Sequence, residues 1–86
     1  MKKYNLKDHA SAQCHIRIDD SGEINFISYY TRVITMAYKD GQRMIECTGT
    51  YSRTTAKQIG WFLKEYAPDL NYYDMKEIAG KGMVAC

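Results

Sequence analysis

The sequence has little of several features that mark large protein classes. It contains one Pro and six Gly in 86 residues, and no apolar run approaches the roughly 20 residues that span a bilayer. Its basic N-terminus has no apolar stretch behind it, unlike a secretory signal. CxxC, HxxxH and HExxH spacings, Gly-rich phosphate loops and paired carboxylates do not occur. These absences weigh against a linker, a membrane segment, a zinc finger and an enzyme.

The charge balance excludes a further class. Twelve Lys and Arg against ten Asp and Glu give a net charge of +2. An acidic mimic of DNA needs dense negative charge, and a protein dedicated to tracking phosphates usually carries a larger basic excess. With 45% hydrophobic and 26% charged residues, the composition is typical of a single globular domain over residues 1–86. The oligomeric state stays open.

Alternation of polar and apolar residues predicts a β-meander in the first half of the chain. Cys14, Ile16 and Ile18 share one strand face, and Asp40-Gly41 is a strong hairpin signal. Before residue 12 the chain is polar and without periodicity, so we expect an irregular arm there. The predicted strands cover residues 12–18, 23–30, 31–38 and 43–51. The third of these is either a separate strand or a continuation of the second after a bend.

Helical spacing replaces the alternation after residue 51. Apolar residues recur three and four positions apart from Ala56 to Tyr66, which predicts a main helix at about 53–66, ended by Pro68. Residues 71–79 predict a short helix, and the apolar tail at 81–86 is expected to pack or pair. Strands followed by helices indicate an α+β fold. In this fold a small antiparallel sheet of three to four strands packs against one main α-helix plus a short C-terminal helix.

Tyrosine is over-used, with eight in the chain. A large, rigid ring with a polar tip suits protein interfaces, although half-buried strand positions also favour aromatic residues. Basic residues stand beside several of these tyrosines, and contact with nucleic acid is the alternative use of such a surface. The candidate partner-binding residues are Tyr29, Tyr30, Arg53, Lys57, Tyr72 and Tyr73.

The cysteines and histidines allow a metal site. Cys14 and Cys47 lie on predicted strands of one sheet, and Cys86 lies in a tail that has to dock. With His9, or with His15 in its place, they make a Cys₃His set, which is typical of structural zinc. The alternative is three unrelated thiols, two of them small core residues. The sequence therefore predicts zinc as a cofactor, because a domain this small gains stability from a bound structural metal.

One stretch of the sequence resembles small proteins of phages and other mobile elements of Firmicutes. The resemblance covers Ile27 to Tyr66, nearly half of the chain, and is most evident from Thr48 onwards. Gln58 departs from the pattern, because those proteins often have His there. The residues that carry the resemblance are Ser28-Tyr29, Thr31, Val33, Gly49, Tyr51-Ser52, Thr54-Thr55, Ile59 and Phe62-Leu63.

Small phage proteins of this kind include type II anti-CRISPR proteins, which inhibit the RNA-guided nuclease of the host. The resemblance implies a non-enzymatic protein in the cytoplasm of the bacterial host cell, with the host CRISPR RNA-guided nuclease as its partner. At a charge of +2, such an inhibitor is expected to bind a protein surface through aromatic residues and to block loading of guide or target DNA. A small phage regulator that binds nucleic acid directly is the alternative.

Overall fold

The structure is a computed structural model that describes residues 2–6, 13–49 and 52–86. Within these ranges the chain forms six strands and two helices. The strands are β1 (Lys2–Tyr4), β2 (Cys14–Ile18), β3 (Ile24–Ser28), β4 (Thr31–Lys39), β5 (Gln42–Cys47) and β6 (Val84–Ala85). The helices are α1 (Arg53–Tyr66) and α2 (Tyr72–Ile78). All six strands join one antiparallel sheet in the order β1-β2-β3-β4-β5-β6.

The sheet corrects the predicted count of three to four strands, because two short edge strands extend it to six. β1 pairs with β2 where the sequence predicted an irregular arm, and β6 pairs with β5 in the apolar tail. These strands have three and two residues, too few for alternation to reveal them. The expectation that the tail packs or pairs is confirmed, whereas the irregular arm is wrong over residues 2–4.

The predicted segment 23–38 divides into two strands at a two-residue turn, Tyr29-Tyr30. The pairing of β3 with β4 shifts within this hairpin, since Phe26 faces Ile34 whereas Ile27 faces Arg32. Val33 is therefore the extra residue of a β-bulge. The bulge turns both Val33 and Ile34 into the core, where neither is exposed to solvent. It also leaves Arg32 on the opposite face of the sheet.

Both helices cover the same face of the sheet. The ring of Phe62 on α1 stacks on that of Phe26 on β3, with centroids 5.0 Å apart. The Ser52 hydroxyl caps α1 by accepting from the amide of Thr55, and α1 occupies the predicted residues 53–66. The core between helices and sheet consists of Leu6, Cys14, Ile16, Phe26, Val33, Ile34, Met36, Ile45, Cys47, Ile59, Phe62, Leu63, Ala67 and Met75.

Candidate functional site

The sheet face opposite the helices is polar. Strand pairing aligns Lys3, Arg17 and Asn25 in one row, and His15, Ile27 and Arg32 in the next. Because side chains alternate between faces, these six point away from the core residues Cys14, Ile16 and Phe26. We call the surface formed by Lys3, His15, Arg17, Asn25, Ile27 and Arg32 the open face.

The open face forms the bottom of a groove of about 780 Å³. Three cationic side chains line it, namely those of Lys3, Arg17 and Arg32. Two carboxylates, Asp19 and Glu23, lie at the end where β2 turns into β3. The Asp19 carboxylate accepts hydrogen bonds from the Ser21 hydroxyl at 2.6 Å and from the amides of Ser21 and Glu23. These bonds, above all the one from the Ser21 hydroxyl, lower the pKa of Asp19.

Arg17 is oriented by its neighbour on β2. Its Nε donates to Nε2 of His15 at 3.1 Å. Partial burial lowers the pKa of His15, and the charges of Lys3 and Arg17 lower it further. A neutral imidazole is the form that can accept this bond. The bond uses only Nε of Arg17, whose side chain lines the groove, and Nη2 of Arg32 lies 3.8 Å from a carboxylate oxygen of Glu46.

The floor of the groove is fixed by a buried polar pair. The hydroxyl of Thr35 donates to Oδ1 of Asn25 at 2.9 Å, and Nδ2 of Asn25 donates to Glu23 at 3.3 Å. Thr35 and Asn25 are both buried although they lie on the polar side of the sheet. Fully paired polar groups of this kind hold one geometry, so the open face is a rigid surface.

A pair of tyrosines closes one end of the groove, at the turn between β3 and β4. Tyr30 is 101% exposed, and Tyr29 has a left-handed backbone with φ of 56°. Turns of this type normally use Gly, Asn or Asp at such a position, because a bulky side chain costs about 1–2 kcal/mol there. The amide of Tyr29 donates to the carbonyl of Gln13 at 2.7 Å and ties the turn to the chain before β2. We call the segment from Ser28 to Thr31, which contains this turn, the tyrosine hairpin.

A buried hydrogen-bond cluster joins the tyrosine hairpin to α1. The Ser28 hydroxyl donates to Oε1 of Gln58 at 2.5 Å and lies 3.4 Å from the hydroxyl of Thr55. The first turn of α1 therefore lies at the same end of the molecule as Tyr29 and Tyr30. Arg53 and Lys57 are exposed on this part of the helix, and Nζ of Lys57 lies 5.5 Å from the centre of the Trp61 ring.

The remaining two candidates, Tyr72 and Tyr73, lie at the other end. Arg43, near the start of β5, donates to both carboxylate oxygens of Asp69 in the loop before α2. This contact places the beginning of α2 beside the turn between β4 and β5, which is at the sheet end opposite the tyrosine hairpin. The structure thus separates the six candidates into a group of four and a group of two.

The structure does not bring the predicted zinc ligands together. Cys14 and Cys47 lie on β2 and β5, three strand spacings or about 14 Å apart. Cys86 pairs with Arg43, four positions and about 13 Å along β5 from Cys47. His15 lies on the open face, away from Cys14, and His9 is outside the described residues. Burial raises the pKa of the Cys14 and Cys47 thiols.

Across the described ranges, no group of three or more His, Cys, Asp or Glu is arranged to hold a metal ion. Zinc therefore stays a prediction of the sequence, with no support from the placement of its ligands, and the zinc content of the purified protein tests it. Among the same residues, neither helix has the length and apolar character that crossing a membrane requires.

Sequence reasoning identified the tyrosines but not the groove. The polar residues of β2 were visible as one strand face, yet Lys3 belongs to a strand that the sequence did not predict. Arg32 joins the same surface only through the bulge at Val33. The signal that could have indicated the groove is the alternation of His15 and Arg17 with buried residues, which marks a strand face left in contact with water.

Fold and surface together define a small α+β protein, in which the described residues form a six-stranded antiparallel sheet with helices on one face and a polar groove on the other. The chain belongs to the family described as Family of unknown function (DUF8033), whose model matches residues 2–79. A search of the curated proteins and a search of the solved structures find no match.

Proposed function

We propose that the protein is a non-enzymatic inhibitor in the cytoplasm of a bacterial host, which binds the host CRISPR RNA-guided nuclease and blocks loading of guide or target DNA. The observation that carries the proposal is the tyrosine hairpin, where a completely exposed Tyr30 follows a left-handed Tyr29. The resemblance of Ile27 to Tyr66 to phage proteins supports this class of partner.

The hairpin has the properties of a contact site for a protein. Tyrosine is enriched among the few residues that dominate binding energies, and rigid presentation lowers the entropy lost on association. The backbone bond from Tyr29 to Gln13 and the Ser28–Gln58 bond provide that rigidity. Backbone strain at an exposed aromatic turn is also typical of a functional site, since the fold would be more stable without it.

Cleavage of target DNA by a purified type II RNA-guided nuclease tests the proposal. The protein is added before guide RNA, after guide RNA, or after target DNA. We expect inhibition only when the protein is added before the loading step that it blocks. Tyr30→Ala should weaken inhibition at least about tenfold, the effect of losing a dominant contact. The control is Tyr38→Ala, because Tyr38 is 63% exposed near the opposite end of β4.

Two results would refute the proposal. One is full cleavage at micromolar concentrations of the unmodified protein against a panel of type II nucleases in every order of addition. The other is equal loss of inhibition in Tyr30→Ala and Tyr38→Ala, which would show that the hairpin is not the contact site.

A further inference from the structure

We propose that the groove on the open face binds a single strand of nucleic acid, with Lys3, Arg17 and Arg32 contacting phosphates. The site shares Tyr29 with the tyrosine hairpin, but its phosphate contacts are distinct from Tyr30, and the proposal does not depend on binding to the nuclease. The inference comes from the charge, the shape and the hydrogen-bonding groups of the groove.

The charges of the groove favour an anionic occupant. Lys3 and Arg17 are directly paired across β1 and β2, and Arg32 lies two strands away on β4. The His15 bond holds the guanidinium of Arg17 in place without neutralising it. Asp19 is engaged by the Ser21 hydroxyl and by backbone amides at the far end of the groove. Lys3 and Arg17 lie toward the Asp19 end, whereas Arg32 lies nearer to the tyrosines, with its Nη2 3.8 Å from Glu46. The lining of the groove holds three cations and two carboxylates, so its net charge is positive.

The shape favours a single strand over a duplex. Reading a duplex requires a protruding helix or ribbon that enters one of its grooves, whereas this surface is concave. A concave polar floor can receive one backbone together with its unstacked bases. Gln13 lines the groove with an amide group that can pair with base edges, and Tyr29 presents a ring for stacking at the end of the groove.

Fluorescence anisotropy with labelled oligo(U) and oligo(dT) of about 12 nucleotides tests this site without the nuclease. With three phosphate contacts, the logarithm of the binding constant should fall with the logarithm of salt concentration at a slope of about −2. Arg17→Gln/Arg32→Gln should reduce the slope to about −0.7 and weaken binding about tenfold or more at low salt. Tighter binding of oligo(U) would indicate that the groove also contacts the 2′-hydroxyl. Equal binding of the two oligonucleotides would indicate that it recognises only features that RNA and DNA share.

The matched control is Lys64→Gln/Lys76→Gln. It removes the same two charges from exposed positions on α1 and α2, on the helical side of the molecule, and it should bind like the unmodified protein. Equal weakening in both double variants would overturn the proposal, because it would reflect net charge alone. The proposal would also be overturned if a duplex of the same length bound as tightly as the single strand. Equally tight binding of a poly-glutamate peptide would overturn it too, because that result would indicate an acidic protein as the occupant. Absence of binding to both oligonucleotides at about 100 μM protein in low salt would also overturn it.

Discussion

Gln58 shows how one buried amide links the sheet to the main helix. It is 3% exposed, and the Ser28 hydroxyl donates to its Oε1 from a strand thirty residues earlier in the chain. We expect Gln58→Leu to lower the free energy of unfolding by about 1–3 kcal/mol, because the buried hydroxyl loses its main acceptor. Chemical denaturation measures this loss. In a double-mutant cycle with Ser28→Ala the two losses should not add, and strict additivity would contradict the contact.

Tyr29 is a residue at which stability and binding are expected to oppose each other. Asparagine tolerates the left-handed backbone that Tyr29 adopts, so Tyr29→Asn should raise the free energy of unfolding by about 0.5–1 kcal/mol. The same change removes a ring next to Tyr30 and should weaken inhibition of the nuclease. Thermal denaturation alongside the cleavage assay separates the two effects. A loss of stability in Tyr29→Asn would show that the ring supports the fold instead.

The burial of individual polar residues such as Gln58 could not be predicted from the sequence. The spacing of Ile59, Phe62 and Leu63 correctly placed one helix face against the core. Nothing in that spacing indicated that a polar residue on the same face is buried, because its partner Ser28 lies on a distant strand. A hydrogen bond between remote segments depends on the register and packing of whole elements, which local patterns do not specify.

Among the elements, the loop before α2 is fastened to the sheet by Arg43. Its guanidinium donates to both oxygens of Asp69, and its Nε donates to the carbonyl of Cys86 at 2.9 Å. The hydrogen bond from Arg43 lowers the pKa of Asp69, more than its charge does. A carboxylate whose pKa is lower in the folded state stabilises the fold above its unfolded-state pKa. That contribution disappears as the pH falls through the folded-state value.

We therefore expect Arg43→Gln to be less stable than the unmodified protein near neutral pH. The part of this difference that comes from Asp69 should shrink below about pH 4, where the carboxylate becomes protonated. Denaturant unfolding across pH measures the difference. Arg53→Gln, which removes the same charge from an exposed position on α1, should show little change in stability at any pH. A difference for Arg43→Gln that stays constant into strong acid would contradict the role of Asp69.

The elements themselves differ in how far the sequence predicts them. Both helices carry caps and periodic apolar residues, and the predicted 53–66 coincides with α1, while 71–79 contains α2. The edge strands β1 and β6 carry no such local signal, because each obtains its hydrogen bonds from one neighbouring strand. Pairing with a distant segment decides their conformation, so the sheet was predicted with too few strands.

Over the whole molecule, the α+β class and the helical layer follow from the sequence, and the candidate surface follows only in part. The tyrosines at the turn were visible as an excess of one residue type. The groove was not, since it combines Lys3 on an edge strand with Arg32 beside a bulge. In the folded protein Tyr72 and Tyr30 lie at opposite ends of the molecule, and the sequence pattern does not indicate this separation.

The N-terminal segment is expected to be part of the folded unit and not an appended arm. Leu6 follows β1 and is 2% exposed within the core. Leu6→Ala should lower the free energy of unfolding by about 2–4 kcal/mol, the usual result of removing a buried leucine side chain. In a small domain with about 5–15 kcal/mol of total stability, that is a large share. Thermal and chemical denaturation measure it, with Leu70→Ala, at a half-buried position, as the control with a smaller loss. A change within about 0.5 kcal/mol for Leu6→Ala would instead indicate that residues 2–6 lie outside the core, as the sequence pattern first suggested.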